Sequence, residues 1–230
     1  MRGSAVLAVV SGGLDSVTLA HRLADEGATL RLLTIDYGQR HRRELDAARA
    51  CSARLSVPHD VVDLRALGAL LGGSSLTDAR VDVPDGHYAE LSMRATVVPN
   101  RNAIIFTVAF GVAVAAGADA VAVAVHGGDH FIYPDCRPEF VDAFQAMQNA
   151  ATDGFGTPTL LAPYLNHTKA DIAAEAHRLG VPVAETWSCY RGGDVHCGAC
   201  GTCFERREAF VLAGVPDPTT YAATPEYATP

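Results

Sequence analysis

An apolar run, SAVLAVV at residues 4–10, passes directly into Ser11-Gly12-Gly13-Leu14-Asp15-Ser16, and apolar residues at helical spacing follow from Leu14 to Glu26. A continuous apolar run of this length predicts a strand buried on both faces, and Gly27 supplies a stop for the helix. The alternation repeats. Thr29 to Ile35 reads as a second strand, Arg43 to Leu55 as a helix, and His59 to Val62 as a short third strand. Asn102 to Ala116 reads as a strongly apolar helix ending at Gly117, and Ala120 to Val125 as another buried strand. Strands and helices in this order predict an α/β fold: a doubly wound parallel sheet with helices on both faces.

The rest of the chain is less regular. Between Gly72 and Pro99 periodicity fades, which fits either a lid or substrate loop or a solvated insertion. Thr168 to Leu179 predicts a helix with Thr168 as N-cap and Asp171 in a capping-box position. From Trp187 the pattern becomes Cys/Gly-rich, and the stretch after Gly214 is rich in Pro, Thr and Ala and is expected to pack loosely or fray. The expected organisation is an α/β domain over 1–186, a four-cysteine module over 187–213 and a tail over 214–230. At 230 residues, 49% of them hydrophobic, the chain can bury one substantial core.

A formal net charge of −8 without runs of Lys or Arg argues against gripping a polyanion, so a small-molecule partner is expected and nucleic acid is not. The N-terminus lacks the long apolar region of a signal peptide, and no apolar stretch reaches the roughly 18 residues of a membrane span. A cytoplasmic protein is expected.

A buried strand, a Ser-Gly-Gly turn and a helix form the geometry in which backbone N–H groups and a helix N-terminus hold phosphate; the other reading is an ordinary glycine turn. Two familiar fingerprints are absent, since no Lys-Ser/Thr follows and the spacing is not G-x-G-x-x-G. Near the other end, Cys189, Cys197, Cys200 and Cys203 give C-x7-C-x2-C-x2-C. Four thiolates at such spacing suit a closed structural Zn²⁺ site, with an iron–sulfur cluster as the alternative. Cys51 falls in a helical pattern and reads as a core residue, whereas Cys136 has no evident place.

The S-G-G-x-D-S stretch resembles the PP-loop of the ATP pyrophosphatase superfamily. With T34-I-D-Y-G-Q-R-H41, V98-P-N-R-N102, G128-D-H-F-I-Y-P-D-C-R-P-E-F140 and the cysteine module, in that order, the chain resembles the 7-cyano-7-deazaguanine synthase family. The resemblance implies a Rossmann-like fold of the adenine nucleotide alpha hydrolase type with a small C-terminal zinc-binding module. It implies ATP-dependent conversion of 7-carboxy-7-deazaguanine and ammonia to the nitrile through an activated acid and an amide. It further implies Mg²⁺ with the ATP, structural Zn²⁺ and a homodimer. Val10, Ser11, Gly12, Gly13, Leu14, Asp15 and Ser16 would form the phosphate loop, with Asp15 and Ser16 catalytic.

Other candidates follow from position. Asp36 and Tyr37 end the second strand, where ligands of doubly wound sheets bind, and would lie by the adenine and ribose. Gln39, Arg40 and His41 would otherwise read as a solvated loop. Arg101 opens a helix, an end that disfavours a cation unless an anion is near, and is a candidate for the carboxylate or a phosphate. Asp129, Asp135, Arg137 and Glu139 are candidates for reading the deazaguanine edge, or for structural ion pairs. Lys169, the only lysine in the chain, also lies in the first turn of a helix and is expected to contact ATP phosphate. His126 is either a base or a core-edge histidine. Alternatives are a paralogue stopping at the amide, a PP-loop enzyme acting on a tRNA base, and a non-catalytic zinc ribbon touching nucleic acid.

Overall fold

The computed structural model describes residues 1–87 and 93–225. In chain order they form β1 (Ala5–Val9), α1 (Leu14–Asp25), β2 (Thr29–Asp36), α2 (Arg43–Leu55), β3 (His59–Asp63) and the one-turn α3 (Arg65–Gly68). There follow α4 (Arg101–Ala116), β4 (Ala120–Ala122), α5 (Pro138–Ala151), β5 (Thr159–Leu161), α6 (Lys169–Arg178) and α7 (Gly201–Ala213).

The five strands are all parallel in the order β3-β2-β1-β4-β5. Strand order therefore reverses between β1 and β4, the place where a doubly wound sheet opens a crevice. Period-2 alternation sends successive residues of each strand to opposite faces. Val6, Ala8 and Val10 join Leu30, Leu32 and Ala122 beneath α1, α2, α6 and α7, which contribute Leu14, Val17, Ala48, Ile172, Ala176 and Phe210. Leu7, Leu33, Ile35, Val121 and Val123 face the other way, onto Phe106, Phe110 and Ala113 of α4 and Phe144 of α5. The expected doubly wound α/β sheet is the observed one.

Four expectations change. Paired β4 stops at Ala122 although the apolar run continues to Val125. Beyond it Val123 keeps one bond to the Leu161 carbonyl (2.8 Å), and Val123, Ala124 and Val125 turn apolar atoms to the crevice instead. The segment Arg94–Ala116, 23 residues long, does meet the length and apolarity of a membrane-crossing helix, its best 18-residue stretch reaching a mean hydropathy of 1.5. Here the apolarity of α4 serves packing, since Phe106, Ala109, Phe110 and Ala113 are buried against the sheet.

The irregular stretch after Gly72 is anchored up to residue 87; the part of it at 88–92 lies outside the described residues. Ser74, Ser75, Leu76 and Val83 are buried, and Arg40 donates to the carbonyls of Asp78 (2.9 Å) and Val81 (3.0 Å). Asp85 makes a β-bridge to Cys200. The tail does not fray up to Pro225: Tyr221 bridges His196 and donates to Asp217 (2.6 Å), and Arg206 donates to Thr219 (3.1 Å). Polar side chains that looked like solvated filler are spent on these fixed partners. The last five residues of the tail lie outside the described set.

Candidate active site

The crevice between β1 and β4 contains a cavity of about 230 Å³, and the Ser-Gly-Gly loop forms one wall. Gly12 holds φ +100°, and a Cβ there would stand 2.0 Å from the Glu44 carbonyl oxygen, so only glycine lets the loop pass α2 this closely. Ser16 Oγ accepts from the N–H groups of Ser11 (3.2 Å) and Gly12 (3.3 Å) and donates to the Gly13 carbonyl (3.2 Å). Among the described residues no side chain caps α1, which begins at Leu14. Its first N–H groups and the positive end of its dipole therefore remain available to an anion.

Opposite, the capping box of α6 is formed: Asp171 N–H donates to Thr168 Oγ1 (3.2 Å) and Thr168 N–H to Asp171 Oδ2 (2.8 Å). That cap fixes the first turn of α6, so Lys169 projects into the crevice and its Nζ meets Asp15 Oδ2 at 2.6 Å and Glu205 Oε2 at 3.5 Å. Burial acts to lower the Lys169 pKa, but Asp15, Glu205 and Asp129 outweigh it and hold the ammonium charged. Burial likewise acts to raise Asp15, yet Lys169 and His126 keep its carboxyl below the ordinary value. Glu205 goes the other way, because burial exceeds what Lys169 and His126 return.

At the far end Arg101 opens α4 beside Tyr37 and Tyr190, its guanidinium 5.9 Å from the Tyr133 ring centroid. Burial raises Tyr37 to about 12, so the phenol stays a neutral donor at ordinary pH. Among the described residues no carboxylate comes within ion-pairing distance of Arg101. The cavity thus carries anion-receiving groups at both ends, the loop with Lys169 at one and Arg101 at the other.

Of the candidate residues, Val10, Ser11, Gly13, Leu14, Asp15, Ser16, Tyr37, Arg101, Asp129 and Lys169 line this cavity. Gly12, within the loop, turns toward Glu44 and Ala48 of α2 and does not line the cavity. Asp36 ends β2 but is turned aside, paired with Arg42 (2.8 Å) and accepting from Gly38 N–H (3.0 Å). Asp135 accepts the Asn102 N–H (3.0 Å) and so caps α4 next to Arg101. Arg137 and Glu139 are exposed and do not line the cavity; Arg137 donates to the His130 carbonyl (2.7 Å). The run Gln39-Arg40-His41 is not a solvated loop: Gln39 and His41 are buried, and both meet Glu44, at 2.7 and 3.2 Å. Cys136 finds its place in the cavity wall, its Sγ accepting from Asn102 Nδ2 (3.2 Å).

Sequence reasoning missed Glu44, Trp187, Ser188, Thr202 and Glu205, which also line the cavity. Four of them flank the cysteines. The four thiols are free, and their Sγ atoms lie within 4.8 Å of one another, with Cys197 and Cys203 at 3.9 Å. A tetrahedral Zn²⁺ with Zn–S near 2.3 Å places its sulfurs about 3.8 Å apart, so the donor set fits zinc. Cys197 Sγ accepts from Cys200 N–H (3.3 Å) and Cys189 Sγ from Cys197 N–H (3.4 Å), contacts that stabilise thiolates.

Residues 5–214 match the family model described as queuosine biosynthesis protein QueC. The chain is 66% identical over 215 residues to a 7-cyano-7-deazaguanine synthase of Rhizobium etli and to one of Rhizobium meliloti, covering 94% of this chain and 91% of each relative. It is 63% identical to one of Brucella anthropi, over 94% of this chain and 92% of the relative. The fold is similar to that of NMN synthetase from Francisella tularensis, with a TM-score of 0.50 and 14% identity over 93% of this chain and 79% of that one.

Proposed function

The chain belongs to the QueC family of queuosine biosynthesis proteins, and from that premise we propose that it is an ATP-dependent 7-cyano-7-deazaguanine synthase. It joins 7-carboxy-7-deazaguanine to ammonia and carries the product on to the nitrile. The observation that carries this reading is the single cavity with the Ser-Gly-Gly loop and Lys169 at one end and Arg101 at the other.

A carboxylate oxygen is a poor leaving group, so it must be activated before ammonia can displace it. The amide oxygen must then be activated in turn. One cavity serves both rounds if the phosphate-holding groups and the group that fixes the acid stay in place between them. Ser11, Gly12, Gly13 and Ser16, with the N-terminus of α1, receive the ATP phosphates, and Lys169 offsets charge as the substrate oxygen attacks. Asp15 orients Lys169. Arg101 and the neutral phenols of Tyr37 and Tyr190 receive the acid, then the amide. Asp129 is the one remaining candidate acid in the cavity that can accept N–H groups of the deazaguanine base. Cys189, Cys197, Cys200 and Cys203 would hold a structural Zn²⁺ that braces the wall bearing Trp187, Ser188 and Glu205, and Mg²⁺ would be brought in with the ATP as its counter-ion.

The working form is a cytoplasmic homodimer acting on small molecules, not on nucleic acid or membrane. The negative net charge supports this, as does the outer side of α4, where Gly111, Ala115 and Ala116 are exposed.

Incubation with 7-carboxy-7-deazaguanine, ammonium, Mg²⁺ and ATP, followed by mass spectrometry, tests the reading. Nitrile formed with consumption of ATP is expected. Amide as the final product, or no turnover, overturns it.

A further inference from the structure

The segment that enters the cysteines carries Ser188, whose hydrogen-bonding groups are almost all committed. Its N–H donates to His196 Nε2 (3.1 Å), its carbonyl accepts from Thr202 Oγ1 (2.9 Å), and its Oγ accepts from Arg206 Nη1 (2.8 Å). A hydroxyl also has a proton to donate, and among the described residues that of Ser188 meets no acceptor. The preceding N–H, of Trp187, bonds the Gly12 carbonyl, so Ser188 stands beside the Ser-Gly-Gly loop and lines the same cavity as Ser11 and Gly13.

Behind Ser188 lies a buried cation. Arg206 of α7 is 0% exposed, and its guanidinium stands 5.8 Å from the Phe210 ring centroid. Its Nε donates to Thr219 Oγ1 (3.1 Å) and its Nη2 to the Val183 carbonyl (2.9 Å), so with Ser188 all three nitrogens have neutral acceptors. Among the described residues no carboxylate comes within ion-pairing distance of it. A guanidinium taken out of water without a counter-ion is costly, and its field carries far through a low-dielectric wall. That field reaches the loop: burial acts to raise Asp15, while Lys169, His126 and, to a smaller extent, Arg206 lower it.

Resting on the reading that ATP occupies this cavity, we propose that Ser188 is a further phosphate-binding residue, its O–H donating to a phosphate oxygen while Arg206 positions and polarises it from behind. A serine oxygen that already accepts from a guanidinium makes its own O–H a stronger donor, because hydrogen bonds in a chain reinforce one another. The same relay gives the buried guanidinium a counter-ion, the polyphosphate, one hydroxyl away. The cysteine site is the competing partner, since four thiolates outweigh the charge of one Zn²⁺. Arg206, however, bonds the Ser188 hydroxyl and no sulfur.

Calorimetric titration of the full-length, zinc-loaded protein with a non-hydrolysable ATP analogue tests the assignment. Ser188→Ala is expected to weaken binding of the analogue about tenfold or more, as loss of a hydrogen bond to a charged group does. Adenosine, which has no phosphate, should bind as it does to the parent. Ser188→Thr, which keeps a hydroxyl, recovers part of the loss. Equal affinity of the parent and Ser188→Ala for the analogue overturns the assignment, as does an equal loss toward adenosine. A Ser188→Ala protein that has lost zinc would make the residue structural and overturn it too.

Arg206→Gln, made in the parent and in Ser188→Ala, tests the relay. Weaker binding of the analogue in the first background and little further change in the second are expected, since both residues act through one hydrogen bond. The same fold-loss in both backgrounds, or zinc loss from Arg206→Gln, removes Arg206 from the relay. The two Ser188 variants decide the phosphate contact whether or not Arg206→Gln folds. A parent that binds the analogue but makes no nitrile sinks the synthase reading alone, and a parent that does not bind the analogue sinks both.

Discussion

The backbone N–H of Trp187 donates to the carbonyl of Gly12 at 2.9 Å, tying the segment that leads into the cysteines to the Ser-Gly-Gly loop. The same segment is held from behind, where Ser188 N–H donates to His196 Nε2 (3.1 Å) and Thr202 Oγ1 donates to the Ser188 carbonyl (2.9 Å). Metal binding and loop geometry are therefore linked through a few short contacts.

Loss of metal should then be felt at the nucleotide. Cys200→Ser is expected to lose zinc and melt at lower temperature, because binding free energy of such a site is folding free energy. The KM for ATP should rise in any fraction that stays folded. Metal analysis beside thermal melts checks this; a zinc-free chain that melts like the parent would refute the coupling.

Asp15 and Lys169 form a largely buried pair, so removing one partner leaves a charge without its closest counter-ion. Asp15→Ala is expected to abolish nitrile formation and to cost up to about 3 kcal/mol in urea unfolding, with Glu205 retaining part of the interaction. Full turnover by this variant would remove the pair from the mechanism.

The pair also fixes a pH window. Asp15 sits below its ordinary 3.8, so its contribution is present above that value and is lost as pH falls through the depressed one. Lys169 sits above its ordinary 10.5, so its contribution is present below that value and is lost as pH rises through the raised one. The stability difference between the parent and Asp15→Asn should be flat between these limits and shrink below 3.8. A difference that grows on acidification contradicts the assignment.

Gly12→Ala places a methyl against the Glu44 carbonyl in a backbone region unfavourable to alanine. Destabilisation of about 1–3 kcal/mol or more is expected, with a weakened affinity for ATP. Calorimetric titration with a non-hydrolysable ATP analogue would show it, and unchanged binding would mean that the loop tolerates the shift.

Arg101→Lys tests the far end of the cavity. A planar guanidinium can hold a carboxylate through two parallel hydrogen bonds and an ammonium cannot. The KM for the acid should rise about tenfold or more, and that for ATP much less. Equal effects on both would place Arg101 on a phosphate.

Chain order alone determined the strand–loop–helix at Ser11–Ser16, the helix boundaries at Arg43–Leu55, the capping box at Thr168 and the four-cysteine spacing. Each is legible because its hydrogen bonds, or its spacing along the chain, involve residues close in sequence. The parallel sheet was legible too, since alternating apolar runs and amphipathic helices have few ways to bury both. What the tertiary structure decided depends on contacts across long stretches of chain. Val123 to Val125 are apolar in the same way as the paired strand before them, and only the opening of the crevice turns them into cavity wall. Glu205 reads as an ordinary helical residue until α7 packs on α6 and brings it within 3.5 Å of Lys169. Asp135 looked like a base-reading acid, and only the approach of α4 makes it a cap. Local sequence sets backbone conformation, but the charge a side chain meets, and hence its chemistry, is set by which distant element the packing places beside it.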